Sequence, residues 1–208
     1  DIRTPLSVVM GYAGQIEQDE ALPEHRREQA AVIRRQSQTI RDLVNDLNLT
    51  MRLDCEMQAL RKEPTSPAAL IRQAAADFLN GGMAEGFSIE VDLPEQPLPD
   101  VTADPFLLRR ALNNLLTNAV RHNQPGCVIR LGARREPGWC VLWVESGAPS
   151  EGAAAGHTVN QLEGDGGAAH GTGLKLVRQI ALSHGGKVQF FSGTTFCSEI
   201  YLPETGRV

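Results

Sequence analysis

Two runs of residues, apolar except for Ser37 and spaced alternately by four and three, constrain this chain more than any other feature. Ile2, Leu6, Val9, Ala13 and Ile16 form the first run, and Ile33, Ser37, Ile40, Val44, Leu47 and Met51 the second. That spacing keeps one seam on one side of a helix, the pattern of a coiled coil or helical bundle. Leu22-Pro23-Glu24 interrupts the helix between them and permits the chain to reverse. An antiparallel helical hairpin over residues 1–62 is expected. Its seam is too long to bury against one partner. A homodimeric four-helix bundle is the economical solution, and a monomeric hairpin packed on the following domain is the alternative.

Beyond Lys62-Glu63-Pro64-Thr65 the pattern changes, and a second domain is expected over residues 63–208. Ser66-Pro67 starts a helix that runs to about Leu79 and is closed by Gly81-Gly82. Residues 87–93 alternate apolar and polar, as a half-buried strand does. A turn over 94–99 and a short strand over 101–103 lead to a helix over 106–122, which Asp104 can cap and Pro105 can open. Strands follow over 128–131 and 139–144, joined at Glu136-Pro137-Gly138. A last hairpin, 187–191 and 196–202, turns at Ser192-Gly193-Thr194. Helix, strands, helix, strands, helix and hairpin in that order give a two-layer α/β sandwich. The fold class expected for the whole is α+β.

Composition narrows the function. The chain has 208 residues, a net charge of −5 and 41% hydrophobic residues, so it is a folded protein whose mild acidity disfavours nucleic acid as a partner. No apolar run approaches the ~20 residues that span a bilayer. The chain opens Asp1-Ile2-Arg3 with no initiating methionine and is expected to be a piece of something longer. Cys55, Cys127, Cys140 and Cys197 are widely spaced, which suits reduced thiols better than a metal site or disulfides.

The chemistry concentrates on the 106–122 helix. Asn114 and Asn118 are four apart and project from the same side, and Arg121 and His122 follow within a turn. Amide oxygens can ligate Mg²⁺, a guanidinium can neutralise phosphate, and an imidazole can lie against a purine. An amphipathic helix whose polar face happens to hold these residues is the plainer reading. Downstream, His170-Gly171-Thr172-Gly173-Leu174-Lys175-Leu176-Val177 puts two glycines before an apolar-periodic run, so backbone N–H groups can approach a phosphate. His157, His170 and His184 have no metal-ligand spacing and are expected to be structural.

Taken together, Asn114-Leu115-Leu116-Thr117-Asn118-Ala119-Val120-Arg121-His122 and Gly171-Thr172-Gly173-Leu174 resemble the ATP-binding domain of the sensor histidine kinases. The motifs of that family read Asn-Leu-Leu-x-Asn-Ala-x-[Lys/Arg]-[aromatic/His] and Gly-x-Gly-Leu-Gly-Leu. Asp1-Ile2-Arg3-Thr4-Pro5-Leu6 is similar to the family's phosphoacceptor box, whose histidine would stand immediately before Asp1. The resemblance implies ATP and Mg²⁺ as cofactors. By position, Asn118 would ligate Mg²⁺ with Asn114 in support, Arg121 would face phosphate and His122 the adenine. Glu145 would accept the adenine amino group, with Gly147 starting the lid. Gly171, Thr172, Gly173 and Leu174 would shape the phosphate loop, and Thr194 would line the adenine end. Asp1 would assist proton removal from the histidine, and Thr4 would orient water for dephosphorylating a partner. That partner would be a response-regulator receiver domain, for which Arg26, Arg27, Arg34, Arg35 and Arg41 offer a docking face. Their plainer reading is a solvated face.

The resemblance further implies a cytoplasmic domain of a membrane-anchored homodimer, anchored through segments outside this sequence. The chain departs from the family at several points. Glu145-Ser146-Gly147-Ala148-Pro149 replaces Asp-x-Gly-x-Gly, and Lys175 replaces the third glycine of the phosphate loop. The lid at 148–170 contains no Phe, Lys or Arg. These departures leave two expectations: an active protein-histidine kinase, or a weak or degenerate one serving as a dimeric docking or phosphatase module.

Overall fold

The computed structural model describes residues 2–55, 57–147, 172–193 and 195–204. Their contacts gather into two compact units, Asp1–Met51 and Arg52–Val208. The first unit is helical: α1 (Arg3–Gln18) and α2 (Glu24–Asp54), the latter ending in the second unit. The reversal falls where Pro23 stands, and Asp19 steadies it by accepting a hydrogen bond from the Ala21 N–H at 3.0 Å. Small residues make the close contacts, with Ala13, Ala30 and Ser37 buried. Arg34 ties α2 to α1 through two hydrogen bonds to the Glu17 carboxylate, at 2.6 and 3.1 Å. Most of the larger seam residues face outward: Ile16, Ile33, Ile40, Leu47 and Met51 are all exposed.

The second unit is a sheet with helices on one face. Strands β1 (Glu63–Thr65) and β3 (Val101–Ala103) pair antiparallel as a small ribbon. Strands β2 (Ser88–Asp92), β4 (Val128–Glu136), β5 (Trp139–Gly147), β6 (Lys187–Ser192) and β7 (Thr195–Pro203) form the main sheet, in the order β2-β4-β5-β7-β6. Only β2 and β4 are parallel, which requires a crossover, and helix α4 (Pro105–His122) lies within it. Helices α3 (Pro67–Asn80) and α5 (Thr172–Ser183) flank α4 on the same layer.

Local sequence explains each boundary. Ser66 caps α3 and Asp104 caps α4, its Oδ1 accepting from the N–H groups of Phe106 and Leu107 at 3.1 Å. Gly138, at φ +83, takes the left-handed turn position between β4 and β5. Leu107, Leu108, Leu112 and Leu116 from α4 and Ile129, Leu131, Leu142 and Ile200 from the sheet are all fully buried. The strand at 63–65 was not expected from the sequence, because Pro64 disguises it. An edge strand tolerates a proline, and its Thr65 hydroxyl bonds the Ala103 carbonyl at 3.3 Å.

No helix among the described residues is long and apolar enough to cross a membrane.

Candidate functional site

Strand β5 decides which residues reach the helix layer. Cys140, Leu142, Val144 and Ser146 alternate on the inner face and are buried. Trp139, Trp143, Glu145 and Gly147 therefore share the outer one. The Ser146 hydroxyl accepts a hydrogen bond from Asn123 Nδ2 at 3.0 Å, and the same amide nitrogen donates to the Ala119 carbonyl at 2.7 Å. Asn123 is the C-cap of α4. The end of β5 is thus fastened to the end of α4 by two neutral side chains.

This geometry corrects the expectation that Glu145 takes the adenine amino group. Its carboxylate accepts from the Thr195 hydroxyl at 2.8 Å, on the sheet face away from Ser146 and the helices. There it lines a cavity of about 520 Å³ with Asp92, Arg134, Trp143 and Glu199. Trp143 lies across Gly132, where a Cβ would stand only 2.6 Å from the indole ring. Gly147 ends β5 hard against Thr195, whose Cγ2 is 2.7 Å from the place a Cβ would take. The physical reason is the period of two along a strand, which puts adjacent residues on opposite faces.

Asn114 and Asn118 are half-buried on α4, whereas Arg121 and His122 are exposed in its last turn. Among the described residues, Asn114 Nδ2 is buried and has no hydrogen-bond partner. Gly173 faces this amide from the first turn of α5, and a Cβ added there would come within 3.6 Å of Asn114 Oδ1. Asparagine amide and glycine turn therefore meet, as the sequence suggests. A buried orphan amide costs free energy unless a ligand satisfies it, and the opening of a helix favours an anion. The pair fits a bound phosphate. Mg²⁺ would rely on amide and phosphate oxygens, since the described residues contain no group of three or more His, Cys, Asp and Glu side chains able to hold a metal.

The remaining expected residues divide. Thr4 lies in the first turn of α1, and Leu174 belongs to the buried core. Thr172 is the first residue of α5. Asp1, Gly171, Thr194 and the lid at 148–170 lie outside the described residues. Lys175 is exposed, with its ammonium 4.0 Å from Asp54 at the end of α2.

Two residues that sequence reasoning passed over help to hold the site, Asn123 at the end of α4 and Ser146, which only the strict alternation of β5 makes legible. His184, expected to be structural, also holds it. Its Nδ1 lies 2.7 Å from the Ile180 carbonyl, which can only accept, so Nδ1 carries the proton. Its Nε2 accepts from the Asp104 N–H at 2.9 Å. The ring thereby clamps the end of α5 to the cap of α4. Burial holds its pKa below the usual 6.5, Lys62 lowering it further while Ile180 and Asp104 pull it up.

Comparison with known proteins gives the family. Residues 1–56 match the His Kinase A (phospho-acceptor) domain, and residues 103–206, half of the chain, match the histidine kinase-, DNA gyrase B-, and HSP90-like ATPases. The chain belongs to this ATPase family. It is 29% identical over 202 residues to the sensor histidine kinase YvrG of Bacillus subtilis, covering 93% of this chain and 35% of that protein. It is 30% identical over 220 residues to the circadian input-output histidine kinase CikA of Synechococcus elongatus, covering 98% of this chain and 29% of that one. The chain thus spans about a third of the length of these curated relatives. Among solved structures, full-length ShkA in complex with AMPPNP aligns with a TM-score of 0.68 at 26% identity, covering 97% of this chain and 44% of that one. The Acinetobacter baumannii histidine kinase AdeS shares the fold, with a TM-score of 0.66 at 19% identity over 98% of this chain and 97% of that one. Membership of the ATPase family carries ATP binding, and the helical unit ahead of it is of the phospho-acceptor type.

Proposed function

We propose that this chain is the catalytic core of a two-component sensor histidine kinase. Residues 1–62 are the dimerisation and phosphoacceptor hairpin, and residues 63–208 the ATP-binding domain. The phosphoryl group supplied by Mg²⁺·ATP passes to a histidine immediately before Asp1 and then to an aspartate on a response-regulator receiver domain. The observation that carries this reading is the orphaned Asn114 amide set against Gly173, within the segment that matches the ATPase family.

The chain's own residues would divide the work. Asn118 contributes its amide oxygen to Mg²⁺, and Asn114 holds phosphate oxygen beside the opening of α5. Arg121 balances phosphate charge, and His122 lies against the base. Thr4 supports dephosphorylation of the regulator by positioning water. A second copy covers the exposed seam of α1 and α2. The core works on the cytoplasmic side of a membrane, to which segments outside this sequence anchor it.

Calorimetric titration with Mg²⁺·AMPPNP tests the site without needing the phosphoacceptor. Micromolar binding is expected, and Asn118→Ala should weaken it by at least tenfold, the loss of one charge-assisted contact. Absence of binding by the unmodified protein at millimolar nucleotide would refute the proposal.

One observation favours a second reading, a dimeric docking or phosphatase module with little kinase activity. Glu145 turns away from the helix layer, and the described residues put no carboxylate at the inner end of β5. Labelling from ATP of a protein extended upstream to include the phosphoacceptor residue separates the two readings.

A further inference from the structure

Among the described residues the inner end of β5 carries no charged side chain, and this bears on which nucleotide the site accepts. Ser146 is buried, and its cross-strand neighbours are Ile129 on β4 and Phe196 on β7. Phe196 stacks on Phe190 with ring centroids 6.3 Å apart, so an aromatic pair lies on the same face of the sheet. Helix α4 advances about 1.5 Å per residue, which puts Asn123 on the order of 13 Å beyond Asn114 along its axis. That separation is comparable to the reach of an extended nucleoside triphosphate. With phosphate at the opening of α5, the base falls at the Asn123–Ser146 end.

The hydrogen bonds there leave a definite remainder. Asn123 uses both amide protons, one on the Ala119 carbonyl and one on Ser146 Oγ. Because a carbonyl only accepts, the orientation of this amide is fixed. Ser146 Oγ therefore retains its own proton and one lone pair, and no described residue takes the proton. A hydroxyl in that state accepts from an amino group or donates to a carbonyl by rotating. A carboxylate in its place could only accept.

Building on the proposed nucleotide site, we infer that Ser146 is its specificity-determining residue and admits both 6-amino and 6-oxo purine nucleoside triphosphates. Ser146 accepts from the exocyclic amine of adenine and donates to the 6-oxygen of guanine. Asn123 holds the hydroxyl in place without adding charge. The aromatic pair and Ile129 make the surroundings indifferent to which purine is present. Discrimination at this position requires a group that leaves one of the two bases unpaired, and the described residues place none there.

The test is the affinity of the intact protein for Mg²⁺·AMPPNP and Mg²⁺·GMPPNP, with Ser146→Asp and Ser146→Ala beside it. The unmodified protein should bind the two analogues within roughly tenfold of each other. Ser146→Asp should widen the ratio to more than about tenfold in favour of adenine, by facing an acceptor with an acceptor. Ser146→Ala should weaken both analogues while keeping their ratio, and thermal melting reports whether each variant is folded. Adenine preference beyond tenfold in the unmodified protein, or variants that leave both affinities untouched, would overturn the inference while leaving the nucleotide site intact. Binding of neither analogue by the unmodified protein would remove the site itself, and the inference with it.

Discussion

The helical hairpin and the α/β sandwich treat their large apolar side chains in opposite ways. In the hairpin, Ile33 is 50% exposed, Leu47 48% and Met51 57%, and the buried positions are filled by alanine, serine and similarly modest residues. In the sandwich, Leu112, Leu116, Ile180 and Ile200 are wholly buried. One unit closes its own core, and the other carries an exposed apolar stripe. Each fully covered side chain of this size is worth about 1.5–3 kcal/mol, so in the proposed homodimer most of the hairpin's apolar stabilisation comes with association. On that proposal the sandwich's stability is a property of the chain, whereas the hairpin's depends on concentration.

A matched pair of substitutions puts that difference at risk. Leu112→Ala should lower the unfolding free energy by about 2–5 kcal/mol, through lost transfer energy and a residual cavity. The loss should be the same at low and high protein concentration in denaturant titrations. Leu47→Asp should leave the sandwich transition where it was and weaken self-association on the order of a hundredfold in sedimentation equilibrium, since it places a charge on the seam. A monomeric unmodified protein at high micromolar concentration would mean that something other than a second copy covers the stripe.

A smaller effect tests how the sandwich is clamped. His184→Ala leaves the buried Asp104 N–H without an acceptor, which should cost about 1–3 kcal/mol at neutral pH. The unmodified protein carries a pH signature that the variant lacks. Burial, with Lys62 in support, depresses the folded-state pKa of His184 below its unfolded value. The unfolded chain therefore binds more protons as pH falls below about 6.5, and the stability contributed by neutral His184 is lost through that window. Protonating Nε2 also sets two donors against each other at Asp104. Denaturation midpoints at pH 7.5 and 5.5 should differ more in the unmodified protein than in His184→Ala. Equal differences would assign the acid sensitivity to other groups.

Much of this was legible in the sequence, for identifiable reasons. The helix over 105–122 announces itself through Asp104, Pro105 and a continuous apolar stripe, and the seam over α1 and α2 through its spacing. The meeting of Asn114 with Gly173 was legible only as a pair of motifs, because nothing local says that two segments so far apart in the chain will touch. Strand β1 was hidden because it pairs at long range with only three residues and contains a proline. Glu145 was misassigned for a different reason. A carboxylate at the end of a strand was matched by chemistry and not by face, and a displacement of one residue reverses the face. Counting the alternation inward from Cys140, Leu142 and Val144 would have reached Ser146.

That face assignment yields the smallest expected effect, and a null result is its content. Glu145→Ala removes a carboxylate that bonds Thr195 and stands cross-strand from Arg130 on the outer face. The affinity for Mg²⁺·AMPPNP should change by less than about threefold, because no inner-face contact is lost, and stability should shift by no more than about 1 kcal/mol, as for a half-exposed side chain with one hydrogen bond. A tenfold loss of nucleotide affinity would mean that the carboxylate reaches the base after all. The sheet would then have to present Glu145 and Ser146 to the same side, which a regular strand cannot do. The two faces of β5 thus make opposite demands on neighbouring residues: Ser146→Asp should change which nucleotide is held, and Glu145→Ala should not.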